Sequence, residues 1–168
     1  MKNISAKRIT IYGLLTAVAM IFGYVEFLLP LSFIAPGVKL GLANLICLYL
    51  ICVDKSCLAM GVNVVRILLS ALLFATPFSL LFSLTAGVLS VISMLFAKKI
   101  KFLGVVGISV IGSAVHNIVQ LIVANFTVGQ GVWFYLPFLL TAGTVAGAFI
   151  GLLCFAMLSK TKNIIKYI

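Results

Sequence analysis

Arg66 stands within an apolar run, residues 60–74, that contains no acid to neutralise its guanidinium. On insertion scales an arginine near the centre of a membrane helix costs roughly 2.5–3.5 kcal/mol, so one that is retained faces a bundle interior or an aqueous cavity. Few other residues inside the apolar tracts can do chemistry: Glu26, Lys39, Asn44, Asn63, His116, Asn117, Gln120 and Asn125. Asn63 and Arg66 are three apart and His116 and Gln120 four apart, so on helices each pair shares a face. The set reads as one polar pocket opening outward. With Arg66, Lys39 and His116 on one cavity, its excess charge is positive and the expected guest is a small anionic or amphipathic solute. Arginine matches a carboxylate or phosphate bidentately, and lysine adds a point charge. In this reading Lys39 and Arg66 hold the anion, His116 and Gln120 hydrogen-bond the solute, and Glu26 orders a lid or contacts a ligand amine. Each residue also has a structural reading. Asparagines serve as interhelical hydrogen-bonding groups worth about 1 kcal/mol or less, His116 can be a satisfied core histidine, and Glu26 can pair with Lys39 across the first outer loop.

The elements that must position these residues follow from composition. The chain is 64% hydrophobic and 8% charged, with a mean hydropathy of +1.36, against about 25% charged residues in soluble domains. Apolar tracts near the roughly 20 residues a spanning helix needs recur along its whole length. Breaks at proline, glycine and charge clusters predict helices at about 9–29, 38–53, 57–75, 77–97, 103–126 and 133–158. The expected fold is all-α: a polytopic membrane helix bundle of about six transmembrane helices, forming a single integral membrane domain over 1–168. The length of the first tract and its lack of a small-residue cleavage site predict that it is retained as a span.

Six spans put both termini on one side. Of the 12 lysines and arginines, all but Lys39 and Arg66 fall at the termini or near positions 55 and 98–101, which share that side. The opposite loops, around 30–37, 75–77 and 127–132, carry none. By the positive-inside rule this predicts a multi-pass protein of the cell membrane with both termini cytoplasmic. The net charge of +10 then mainly sets orientation and helps hold anionic lipid. It does not form the basic soluble face that a nucleic-acid partner requires.

Small residues recur at four-residue spacing in the sixth predicted helix, as Gly143, Gly147 and Gly151, and in the first, as Gly13 with Ala17 and Ala19 with Gly23. Such stripes let a second helix approach closely, whether from the same chain or from a partner. Cys47, Cys52, Cys57 and Cys154 have no metal-ligand spacing and read as small apolar residues. No GxxxxGK[ST] loop is present, so ATP hydrolysis by that route is excluded. Only Glu26 and Asp54 are acidic, too few for an aspartate-rich cluster holding Mg²⁺ on a diphosphate. The expectation is a protein that is not an enzyme by itself and uses no cofactor or metal.

The segment Lys39-Leu-Gly-Leu-Ala-Asn44, with Glu26 closing the first helix, Asn63 and Arg66 in the third and His116-Asn117 in the fifth, resembles the family known as heptaprenyl diphosphate synthase component I, or Gx transporters. The resemblance covers nearly the whole chain. It implies a six-helix fold similar to the S-components of energy-coupling factor (ECF) transporters, membrane subunits that bind a vitamin-like solute near the outer face under a lid formed by the first outer loop. Here that loop is 30–38. It also implies separate partners, a coupling transmembrane subunit and two ATPases. Related S-components dock through Ala-xxx-Ala on the first helix, where this chain has Gly13/Ala17 and Ala19/Gly23. The family's other name implies an alternative: a non-catalytic membrane accessory of polyprenyl diphosphate synthesis.

Overall fold

The computed structural model describes residues 6–28, 41–74, 77–128 and 130–161. All regular structure among them is helical: α1 (Ala6–Leu28), α2 (Asn44–Cys52), α3 (Ser56–Phe74), α4 (Pro77–Lys98), α5 (Val105–Val128) and α6 (Leu136–Thr161), with a 3-10 segment at Gln130–Tyr135 leading into α6. A chain in hydrocarbon must satisfy its backbone groups internally, which a helix does within one segment. Among the described residues, α1, α3, α4, α5 and α6 are long and apolar enough to cross a membrane. The protein is therefore an all-α polytopic membrane helix bundle.

The sixth helix, α2, is different. Its nine residues rise only about 14 Å, under half of a hydrocarbon core about 30 Å thick. Leu45 to Ile51 are all buried, and α2 touches each of the other five helices. A helix that is apolar all round belongs in a core. The span expected at about 38–53 is thus corrected: helix begins only at Asn44, after Gly41 at a φ of +77°, whose carbonyl accepts from the Asn44 N–H at 2.8 Å.

α2 ends in a tight reversal into α3. Lys55 N–H donates to the Leu50 carbonyl and Asp54 N–H to that of Ile51, the paired bonds of a Schellman cap. Asp54 takes the left-handed position at a φ of 62°, which aspartate tolerates better than most residues. Lys98, in the last turn of α4, donates to both the Ile51 carbonyl and Asp54 Oδ1. That bond and the lysine charge hold the Asp54 carboxyl below its ordinary pKa. One ammonium thereby ties the end of α4 to the α2–α3 turn, and Lys55, Lys98, Lys99 and Lys101 gather at one basic end of the bundle.

The glycine stripe of α6 lies on α5. A Cβ at Gly151 would sit 2.6 Å from Val106 Cα, one at Gly147 would sit 3.0 Å from Val110 Cα, and one at Gly143 would collide with the Asn117 side chain. The partner of this stripe is thus internal. On α1 the small residues divide. Ala19 is fully buried and Gly23 lies against Ala43, whereas Ala17 is exposed and Gly13 has open space beside it.

Candidate polar site around Arg66

Asn63 and Arg66 lie midway along α3, and their three-residue spacing brings them together. Arg66 Nη2 donates to Asn63 Oδ1 at 2.8 Å. The Cys47 thiol, reaching from α2, donates to the same oxygen at 3.8 Å. Asn63 is completely buried, and α4 makes room for it with Gly87, where a Cβ would stand 3.1 Å from Asn63 Nδ2. The cluster is not saturated. Asn63 Nδ2 and Arg66 Nε are buried and have no hydrogen-bond acceptor among the described residues. Buried polar atoms in native proteins are nearly all paired, so two such donors on adjoining side chains single out this cluster as a candidate binding site.

Charge points the same way. Among the described residues no acid forms an ion pair with Arg66; Asp54 pairs with Lys98 at the basic end. Glu26 is near enough to interact with Arg66 electrostatically, but its Oε1 accepts the Gly41 N–H at 2.7 Å. That bond ties the backbone at Gly41, just before α2, to the end of α1. Three residues after Gly41, Asn44 opens α2 and lines a cavity of about 10 Å³ with Gly41, Ser109, Ser113 and Gly147. Such a volume holds about one water.

The remaining predicted residues separate. Asn117 Nδ2 donates to the Leu139 carbonyl at 2.8 Å, so its amide joins α5 to α6. Gln120 is buried on α5, and His116 is partly buried one turn earlier. Asn125 Oδ1 accepts from Trp133 Nε1 at 3.0 Å and braces the 3-10 segment. Lys39 and the lid segment 30–38 lie outside the described residues. Sequence reasoning missed three contributors: Cys47, taken as a small apolar residue, and Gly41 and Gly87, which lend an N–H and a space. Only Gly41 carried a signal, as part of the Lys39 to Asn44 motif.

No curated protein and no solved structure matches the chain. The sequence model for heptaprenyl diphosphate synthase component I matches residues 15–157, a stretch that contains Glu26, Cys47, Asn63, Arg66 and the glycine stripe of α6. With most of its length matched, the chain belongs to the heptaprenyl diphosphate synthase component I family.

Proposed function

We propose that the protein is a non-catalytic membrane subunit that captures a small anionic or amphipathic solute, with Arg66 as its principal anchor. The single observation that carries this reading is the Arg66 guanidinium, which lies beside Asn63 and has no ion-pair partner among the described residues, with donors on both side chains lacking acceptors among them. A carboxylate or phosphate would supply the missing acceptors and balance the charge at once. Lys39 would add a second cation, and His116 and Gln120 would hydrogen-bond the solute from α5. Glu26, clasping Gly41, would hold the base of a lid over it. The basic end, with both termini, would face the cytoplasm, and the site would be reached from the opposite side.

The finer reading is the substrate-capture part of an ATP-driven importer, resembling an ECF S-component. Its partners would be a coupling transmembrane subunit and ATPases, and the outward face of α1 at Gly13 and Ala17 would be open to them. The family's name favours a second reading, a membrane accessory of heptaprenyl diphosphate synthesis. A prenyl diphosphate, anionic at one end and apolar along its length, would satisfy the same guanidinium. Affinity purification from native membranes discriminates the two: co-isolation of a coupling subunit with ATPases supports the importer, and co-isolation of a soluble prenyl synthase supports the accessory. Unchanged ligand binding by Arg66→Ala and Lys39→Ala proteins of intact fold would sink both.

A further inference from the structure

The basic end of the bundle carries a second feature, remote from Arg66 in chemistry and independent of it. A crevice of about 590 Å³ opens where α4 meets the start of α3. Its wall is built by Ile92, Leu95, Phe96 and Lys99, spaced i, i+3, i+4 and i+7 along one face of α4. The wall is thus apolar along its length and cationic at the mouth. Lys99 Nζ stands 5.3 Å from the centre of the Phe96 ring and forms no ion pair among the described residues. Asp54 also borders the crevice, but Lys98 bonds its carboxylate at 2.6 Å, which removes most of its repulsion for an anion. Ser56 on the opposite rim begins α3, so the positive end of that helix dipole adds to the field. Lys55 and Lys101 flank the opening and are exposed.

We propose that this crevice binds the headgroup of an anionic phospholipid. The order of the lining selects this occupant. A free anion would leave the wall of Ile92, Leu95 and Phe96 unused, and a neutral lipid would leave Lys99 uncompensated. Phe96 is 63% exposed and Leu89, two turns before it on the same helix, is 44% exposed. The apolar wall therefore continues onto surface that acyl chains cover, and the ligand enters sideways from the bilayer with its phosphate at Lys99 and Ser56. Basic recesses of this kind, between membrane helices near the headgroup level, are suited to anionic headgroups.

Native mass spectrometry of the full chain released from nanodiscs of mixed phosphatidylglycerol and phosphatidylcholine tests this. One phosphatidylglycerol should stay bound in preference to phosphatidylcholine. Lys99→Ala should cut its retention about fivefold, and Ile92→Trp, which fills the crevice without altering charge, should cut it comparably. Lys160→Ala, removing a cation from the end of α6, should leave retention unchanged. Equal retention of the two lipids would overturn the proposal, as would an equal loss in Lys160→Ala, since the attraction would then be diffuse. Displacement of the lipid by equimolar inorganic phosphate or farnesyl diphosphate would also overturn it, by showing a different ligand. Lys99 is exposed, so its variant keeps the test decisive even if Ile92→Trp fails to fold.

Discussion

Where α6 lies along α5, a Cβ at Gly147 or Gly151 would meet backbone and one at Gly143 would meet the Asn117 side chain; on α1 and α3, Gly13 and Gly61 have nothing within 4 Å of where a Cβ would stand. The polar groups divide along the same line. Asn117 spends its amide on the α6 main chain, and Ser90 on α4 donates to the Gly112 carbonyl of α5 at 2.8 Å. On α3, Asn63 and Arg66 keep buried donors open. Helices α4, α5 and α6 thus join by close packing and by these two side-chain bonds, an arrangement that resists deformation. On α3, buried donors lack acceptors among the described residues, a local cost of the kind that concentrates at functional sites.

The harshest way to break this contrast is to force volume into the packed half. Gly151→Leu should prevent recovery of monodisperse protein in detergent, because the atom in the way is Val106 Cα and cannot swing aside. Gly151→Ala should cost about 1–3 kcal/mol, whereas Gly13→Ala and Gly61→Ala should stay within about 0.5 kcal/mol of wild type. Thermal unfolding of the three alanine variants measures the difference, and equal losses at all three positions would erase the distinction.

Next in size is the site itself. Arg66→Leu should weaken solute binding by roughly 10- to 100-fold, the scale of a hydrogen bond to a charged group, with no drop in melting temperature because an unneutralised charge has been removed. Arg66→Lys should restore only part of the binding, since a lysine offers no planar fork. A variant that loses binding and stability together would place Arg66 among the packing residues instead. Glu26→Ala, which removes the acceptor for the Gly41 N–H, should speed solute release about two- to tenfold. Glu26→Gln, which keeps an acceptor oxygen, should do less, and dissociation kinetics would separate the two.

The smallest effect belongs to the Asp54–Lys98 pair. Its bond lowers the Asp54 pKa in the folded state, so its stabilisation is present above the unfolded-state pKa and fades as pH falls through the lowered folded value. The Asp54 side chain is 89% exposed, which keeps the contribution slight. Asp54→Asn should therefore flatten a shallow acid decline in melting temperature and leave solute binding at neutral pH untouched.

Most of the architecture was legible in the sequence because membrane helices announce themselves by length and composition. α1, α3, α4, α5 and α6 fall within a few residues of where apolar runs, Pro77 and the lysine clusters put them. The exception is α2. Its continuous apolar run from Leu45 to Cys52 reads alike whether lipid or other helices surround it, and its length is bounded by left-handed Gly41 before it and left-handed Asp54 after it. The core of the site was legible in part. The three-residue spacing of Asn63 and Arg66 required a shared face, and they share a hydrogen bond. Neither Cys47 nor Gly87 was readable, since both act through contacts between helices distant in sequence. Nor could spacing tell that Asn117 serves the α5–α6 joint, because an asparagine that joins helices and one that awaits a ligand look alike until the facing carbonyl is placed.

The most direct test of Arg66 as an anion anchor is mass spectrometry of small molecules released from equal amounts of purified wild-type and Arg66→Leu protein. The wild type should release a stoichiometric anionic or amphipathic compound, and an equally well folded variant almost none. Equal recovery of the same compound from both proteins would contradict that role.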